Sequence, residues 1–209
     1  MRVTPPVAVR RAEARPMRVS EGSSTEQAGA GAMSQGTTVA ITDAAKRRIF
    51  AMLDVDGDGV ITRAEYLARV DRAAAAMGRE PDHLVVDAAR TAHEEVWADM
   101  DADHDGRVTF EEYRTWAGHD AFERSCRPAL GSLFDVADLD GDGRLSRAEF
   151  TRLRVASRNT ASDADRAFDD LDTDRDGLVG RDAYLAGIHD YVTTGVSPMG
   201  AVYGSPNGS

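Results

Sequence analysis

The stretch DVDGDGVITRAE, residues 54–65, places aspartate at its first, third and fifth positions, glycine at its sixth and glutamate at its twelfth. Three later stretches share that opening: DADHDGRVTFEE (101–112), DLDGDGRLSRAE (138–149) and DTDRDGLVGRDA (172–183). The first two of these also finish on glutamate, whereas the last finishes on Ala183. Self-similarity of this kind marks a repeated supersecondary unit, which must be recognised before any single segment is interpreted.

The similarity extends beyond the acidic stretches. Phe50, Trp97, Phe134 and Phe168 stand four residues before them, and Leu53, Met100, Ala137 and Leu171 stand one before. Positions three apart share a helix face, so each stretch is entered by a helix with one apolar side. Tyr66, Tyr113, Phe150 and Tyr184 follow and open an exiting helix. Ile61, Val108, Leu145 and Val179 occupy the eighth places, where two loops can pair as a short strand. Each unit is therefore helix, loop, helix.

Isolated units of this size cannot bury their apolar faces, so they are expected to work in pairs. The predicted fold is all-α, with four helix-loop-helix units in two pairs and short β-bridges between paired loops. Residues 41–119 form the first expected pair and residues 120–193 the second. Gly78 and Pro81 divide the long segment after the first loop into separate helices. Thr42 and Ser162 are expected N-caps, and Pro81 and Pro128 are expected in first helical turns. Residues 1–40, rich in Pro, Gly, Ser and Thr, are an expected disordered tail, and residues 194–209 an expected flexible one.

Bulk properties narrow the function. A hydrophobic content of 42% in 209 residues supports a packed core, and a net charge of -11 disfavours nucleic acid and anionic membranes as partners. Cys126 is the single cysteine, which excludes an intrachain disulfide and a thiolate-rich zinc site. No apolar run approaches the roughly 18 residues needed to span a bilayer. The Arg-rich beginning lacks the continuous apolar segment of a secretory signal, so a cytoplasmic location is expected.

With its flanking pattern, DVDGDGVITRAE resembles the EF-hand calcium loop, D-x-D-x-D-G followed by glutamate at the twelfth place. Calcium takes six to eight oxygens, and a tightly wound loop can turn alternate residues inward together. The resemblance implies carboxylate ligands from Asp54, Asp56 and Asp58, a carbonyl from Val60, a hydroxyl or held water at Thr62, and both oxygens of Glu65. The same roles fall on Asp101, Asp103, Asp105, Arg107, Thr109 and Glu112. They fall again on Asp138, Asp140, Asp142, Arg144, Ser146 and Glu149. The arginines offer only carbonyls, leaving their side chains free to point to solvent. Each of these loops gathers four carboxylates. Two charges about 4 Å apart repel by roughly 4 kcal/mol at an effective dielectric of about 20, so a cation should order the loop.

The fourth loop is expected to be weak or silent. It keeps Asp172, Asp174, Asp176 and the Leu178 carbonyl, but Ala183 supplies no bidentate carboxylate and Gly180 no ninth-place side chain. Asp182 lies one place early, turned by about 100° on a starting helix. Its expected use is packing, as the scaffold for the third loop.

Four such units on one compact chain are similar to the sarcoplasmic calcium-binding proteins and calerythrin-type proteins. That likeness implies a compact, all-helical calcium-binding protein that buffers calcium or modulates its signal; a monomer is expected, with magnesium a candidate competitor. It departs from the calerythrin pattern, in which the second loop is the irregular one. A calmodulin-like sensor, which exposes a Met-rich groove to a protein target, is the rival reading. Only Met52, Met77 and Met100 fall in the helical region, and no long polar linker separates two lobes. No segment is left for a catalytic domain, so no enzyme is expected. His83, His93, His104, His119 and His189 show no zinc-binding spacing, and Cys126 has no histidine partner in sequence.

Overall fold

The computed structural model describes residues 43–203. The expected N-terminal tail, the Thr42 cap and residues 204–209 lie outside the described residues. Helix α1 (residues 43–53) leads into the first acidic loop. Strand β1 (Val60–Thr62) and helix α2 (Arg63–Met77) leave it. The second unit runs through α3 (Leu84–Met100), β2 (Arg107–Thr109) and α4 (Phe110–Trp116). The third is entered by α5 (His119–Ala121), a π-helical segment (Phe122–Cys126) and α6 (Arg127–Ala137), and left by β3 (Arg144–Ser146) and α7 (Arg147–Ala156). The fourth comprises α8 (Ala161–Leu171), β4 (Leu178–Gly180) and α9 (Arg181–Thr194), followed by the short α10 (Gly200–Tyr203).

The loops pair as expected. β1 lies antiparallel to β2 with Ile61 opposite Val108, and β3 lies antiparallel to β4 with Leu145 opposite Val179. All four aliphatics are buried, as are Phe50, Trp97, Phe134 and Phe168 before the loops and Tyr66, Tyr113, Phe150 and Tyr184 after them. Helix α2 packs on α3, α6 and α7, and α3 packs on α6. One large apolar cluster consequently joins Val70, Ala73, Met77, Val86 and Ala89 of the first two units to Leu133, Phe134, Leu153 and Phe168 of the last two. The expected division between residues 119 and 120 falls inside α5, at the edge of this shared core.

Several helix ends differ from expectation. Pro81 precedes α3, whose N-cap is His83: its Nδ1 accepts the Val85 N–H at 3.3 Å. Thr160, not Ser162, caps α8, its hydroxyl accepting the Asp163 N–H at 3.1 Å. Threonine with extended backbone at the true boundary outcompetes a serine already inside the first turn. Pro128 does lie in the first turn of α6, as expected, although the chain is already helical from His119. A proline in a continuing helix removes a donor and crowds the preceding turn. Here the turn before it is widened to π geometry, in which the Arg127 N–H reaches back to the Phe122 carbonyl.

Residues 196–203 are not a free tail. Met199, Val202 and Tyr203 are buried, and Tyr203 stacks on Tyr191 with ring centroids 4.7 Å apart. The buried Arg154 lies over the Tyr203 ring, 5.1 Å from its centroid, and the Asn159 side chain donates to the Val202 carbonyl at 2.6 Å. Gly195, Pro198 and Gly200 give the segment a turn-like composition that hides these three apolar anchors.

Candidate metal centres

The four acidic loops share one backbone path. Their sixth residues, Gly59, Gly106, Gly143 and Gly177, have φ between 79° and 92°, a region that disfavours any Cβ. The fourth places are left-handed too. Gly57 and Gly141 take this at no steric cost, whereas His104 (φ 60°) and Arg175 (φ 59°) carry side chains there. The first and third loops are thus the better fitted to their own geometry.

Side chains complete the winding. The first-place aspartates each accept the sixth-place N–H: Asp54 from Gly59 at 3.0 Å, Asp101 from Gly106 at 3.1 Å, Asp138 from Gly143 at 2.9 Å and Asp172 from Gly177 at 3.0 Å. The third-place Asp56, Asp103 and Asp140 accept the fifth-place N–H. The fifth-place Asp58, Asp105, Asp142 and Asp176 accept the seventh-place N–H of Val60, Arg107, Arg144 and Leu178. Oxygens converge as a result. Ligand atoms within 4.8 Å of one another come from Asp54, Asp56 and Glu65, from Asp101, Asp103 and Asp105, from Asp138, Asp140 and Glu149, and from Asp172, Asp174 and Asp176. Asp58 and Asp142 stand outside the tightest groups of their loops, and Glu112 outside that of the second.

The glutamates have a second role beside that of candidate ligand. Thr62, Thr109 and Ser146 are N-caps of α2, α4 and α7, and Glu65, Glu112 and Glu149 are the third residues of those helices. Each pair forms a capping box, with the Ser/Thr N–H 2.8–2.9 Å from the glutamate oxygen and the hydroxyl donating to the same oxygen at 2.7 Å. The S/T-x-x-E signal was present in TRAE, TFEE and SRAE. Burial acts against the Glu65 charge, but bonds from Thr62, Val55 and Asp56 outweigh it and hold the carboxyl below its ordinary value. At Glu149 burial is likewise outweighed, by Ser146 and Leu139. At Glu112 the Thr109 hydroxyl is the leading cause of the same lowering. The fourth unit lacks the device: Gly180 caps α9 without a side-chain bond.

The set fits a hard divalent cation. Its side-chain donors are carboxylate and hydroxyl oxygens, and the buried Asp101 Oδ1 has no hydrogen-bond partner. A cation would satisfy that oxygen, which no nearby N–H reaches.

The seventh-place arginines do not simply point to solvent. Arg144 Nη1 bonds Asp176 Oδ2 across the third and fourth loops, and that contact leads the lowering of the Asp176 pKa. Arg107 Nη2 lies 3.8 Å from Asp58 Oδ2 across the first and second. In each pair an arginine of one loop therefore addresses the fifth-place carboxylate of its neighbour, because antiparallel pairing sets the seventh place beside the partner loop.

Other candidates are placed as follows. His93 is buried, its Nδ1 2.8 Å from the Ala89 carbonyl, and burial and Arg69 lower its pKa to about 3, so the ring is neutral. Burial pushes the Cys126 thiol up to about 12, which disfavours the reactive thiolate form. Trp116 lies beside the second loop, with its Nε1–H donating to Asp99 at 2.9 Å. His119 and His189, unrelated by spacing, meet with Nδ1 3.0 Å from Nε2.

Comparison with known proteins places this geometry among relatives. The profile of the EF-hand domain pair matches residues 42–118 and 127–188. "Probable calcium-binding protein CML16" of Oryza sativa subsp. japonica is 34% identical over 152 residues, covering 69% of this chain and 77% of the rice protein. Calerythrin of Saccharopolyspora erythraea is 24% identical over 166 residues, covering 74% and 93%. A solved Streptomyces coelicolor calcium-binding protein, described as a structural basis for prokaryotic calcium-mediated regulation, superposes with a TM-score of 0.62 at 30% identity, covering 72% of this chain and 98% of that one. No helix among the described residues is long and apolar enough to cross a membrane.

Proposed function

The chain belongs to the EF-hand family of calcium-binding proteins, and from that premise we propose that it is a cytoplasmic calcium buffer or signal modulator, monomeric, with three working sites and a fourth that is weak or silent. The three sites are Asp54, Asp56, Asp58, Val60, Thr62 and Glu65; Asp101, Asp103, Asp105, Arg107, Thr109 and Glu112; and Asp138, Asp140, Asp142, Arg144, Ser146 and Glu149. The convergence of charged oxygens in their loops supports this assignment. Magnesium, with the same preference for oxygen, competes for them.

In the fourth loop the Arg144 guanidinium neutralises Asp176, in place of the charge a cation would bring. Weakness there follows from three departures together: no twelfth carboxylate, no ninth-place hydroxyl and a carboxylate paired with arginine at 2.5 Å, more closely than the 3.8 Å between Arg107 and Asp58.

One observation favours the buffer. The apolar faces of the two pairs are turned on each other, and Met199, Val202 and Tyr203 pack into the same cluster. A sensor must open such a surface to a target, and the described residues expose only Val55, Leu84, Leu139, Val155 and Val196 among the large apolar side chains. These five stand on different loops and helices of the fold. The net charge of -11 speaks against nucleic acid and anionic membranes as partners. A protein acting in this way carries out no catalysis.

Calorimetric titration with calcium, repeated in millimolar magnesium, tests the proposal. Three tight sites, weakened by magnesium and accompanied by little change in binding of an apolar dye, are expected. A large calcium-dependent rise in dye binding would transfer the protein to the sensor class.

A further inference from the structure

Outside the acidic loops the described residues form one more cluster able to hold a metal, and it is of different chemistry. His119 on α5, Glu123 in the π segment and His189 on α9 each bring one ligand atom within 4.8 Å of the others. We propose that these three residues bind a divalent transition metal of the zinc type, at the seam between the helix entering the third loop and the helix leaving the fourth.

The geometry suits such an ion. His119 Nδ1 and His189 Nε2 are 3.0 Å apart. Two imidazole nitrogens on one ion, with bonds of about 2.0–2.1 Å, stand about 2.9 Å apart at a right angle and about 3.4 Å apart in a tetrahedron. In the metal-free protein the same spacing suits a hydrogen bond between the rings, and the metal replaces the shared proton.

Two of the three ligands are held in place by neighbours. His189 turns Nδ1 toward Asp190 Oδ1 at 3.3 Å, which leaves Nε2 for the site. That is the carboxylate–histidine arrangement that fixes the tautomer of a ligating ring. The Phe122 ring meets the His189 ring edge to face, centroids 5.0 Å apart. Glu123 is oriented by Arg127, whose Nε and Nη2 donate to its two oxygens at 2.8 and 3.0 Å. A carboxylate oxygen that accepts one such bond keeps a further lone pair. His119 and Glu123 are four residues apart, on one side of a helical turn that widens to π geometry immediately before Pro128. His119 and Glu123 are exposed, so the site is open to solvent and water can complete the coordination.

The donor set separates this site from the loops. Calcium and magnesium take oxygen ligands, whereas paired imidazoles with one carboxylate suit zinc and its neighbours in the first transition row. The site also ties α5 to α9, so a bound metal would clamp the two outer helices of the second pair.

Calcium-saturated protein, with its loops filled, should be titrated with zinc by calorimetry and with cobalt by visible absorption. One additional site is expected, with cobalt bands of nitrogen ligation. His119→Ala should weaken it at least about 100-fold, since even outer partners of a ligand are worth 10–100-fold. Calcium stoichiometry and far-UV circular dichroism should not change, because His119 is exposed. His189→Gln supplies a second variant with the same expected loss. Absence of zinc uptake in the calcium-filled protein would overturn the proposal. So would zinc uptake that survives both variants, or that disappears in Glu65→Gln instead. The calcium sites are read separately, so neither result depends on the other.

Discussion

Glu149 has two duties, and a choice of substitution separates them. Glutamine can serve as the third residue of a capping box but lacks the charge that a bidentate calcium ligand needs. Glu149→Gln should therefore reduce the calorimetric stoichiometry from about three to about two while leaving the calcium-free thermal midpoint nearly unchanged. Glu149→Ala should lose the same site and destabilise the calcium-free protein by about 1 kcal/mol, the usual cost of a lost cap. In the fourth loop Ala183→Glu restores a ligand but leaves Asp176 paired with Arg144. A clear fourth site is expected only in the double variant Ala183→Glu/Arg144→Gln, and a fourth tight site in Ala183→Glu alone would show that the arginine does not compete. Acid titration probes the same glutamates. The folded-state pKa values of Glu65, Glu112 and Glu149 are lowered, so their contribution to stability is complete above the unfolded value of about 4.3 and is lost as pH falls through the folded values. The calcium-free midpoint should be level from pH 7 to about 5 and decline below about 4.3. A midpoint unchanged down to pH 3 would contradict the capping role.

At the scale of the elements, Asp99 joins three of them. It lies near the end of α3 and accepts from Trp116 Nε1 at 2.9 Å, Ser125 Oγ at 2.6 Å and Arg124 Nη2 at 2.8 Å. These partners belong to α4 and the π segment, so one carboxylate fixes the passage from the first pair to the second. Asp99→Ala strands two neutral donors and a guanidinium, and a loss of roughly 1–3 kcal/mol in urea unfolding is expected. The apolar stripes of these helices were legible in the sequence because burial imposes a helical period on them. Their starting points were less so: Pro81 and Ser162 each resembled a start, but the hydrogen bonds of His83 and Thr160 settled those boundaries elsewhere, whereas Pro128 does sit in the first turn of α6.

For the whole molecule, the seal at the chain's end is decisive. Tyr203 stacks on Tyr191 and covers Arg154, a buried cation whose other bonds go to Asn159 Oδ1 at 3.1 Å and the Tyr184 hydroxyl at 3.3 Å. Tyr203→Ala should cost about 3 kcal/mol of unfolding free energy, in the range for emptying a large aromatic from a core. A cost within measurement error would show that α10 is not part of the stable fold. The midpoint should also fall when calcium is removed by chelator, since carboxylates gathered in each loop then repel without a counter-charge.

The pattern of residues alone determined the four units, their pairing through Ile61, Val108, Leu145 and Val179, and the loops offered to calcium. Each of these rests on local spacing: alternation around a tight turn and a helical period beside it. Tertiary structure decided what spacing does not encode. It set Arg144 against Asp176 through the register of β3 and β4, drew Met199 and Tyr203 into the core, and brought His119 and Glu123 to His189 some seventy residues away. The physical reason is that such contacts depend on which faces of distant helices meet, and that is settled only when the shared core closes.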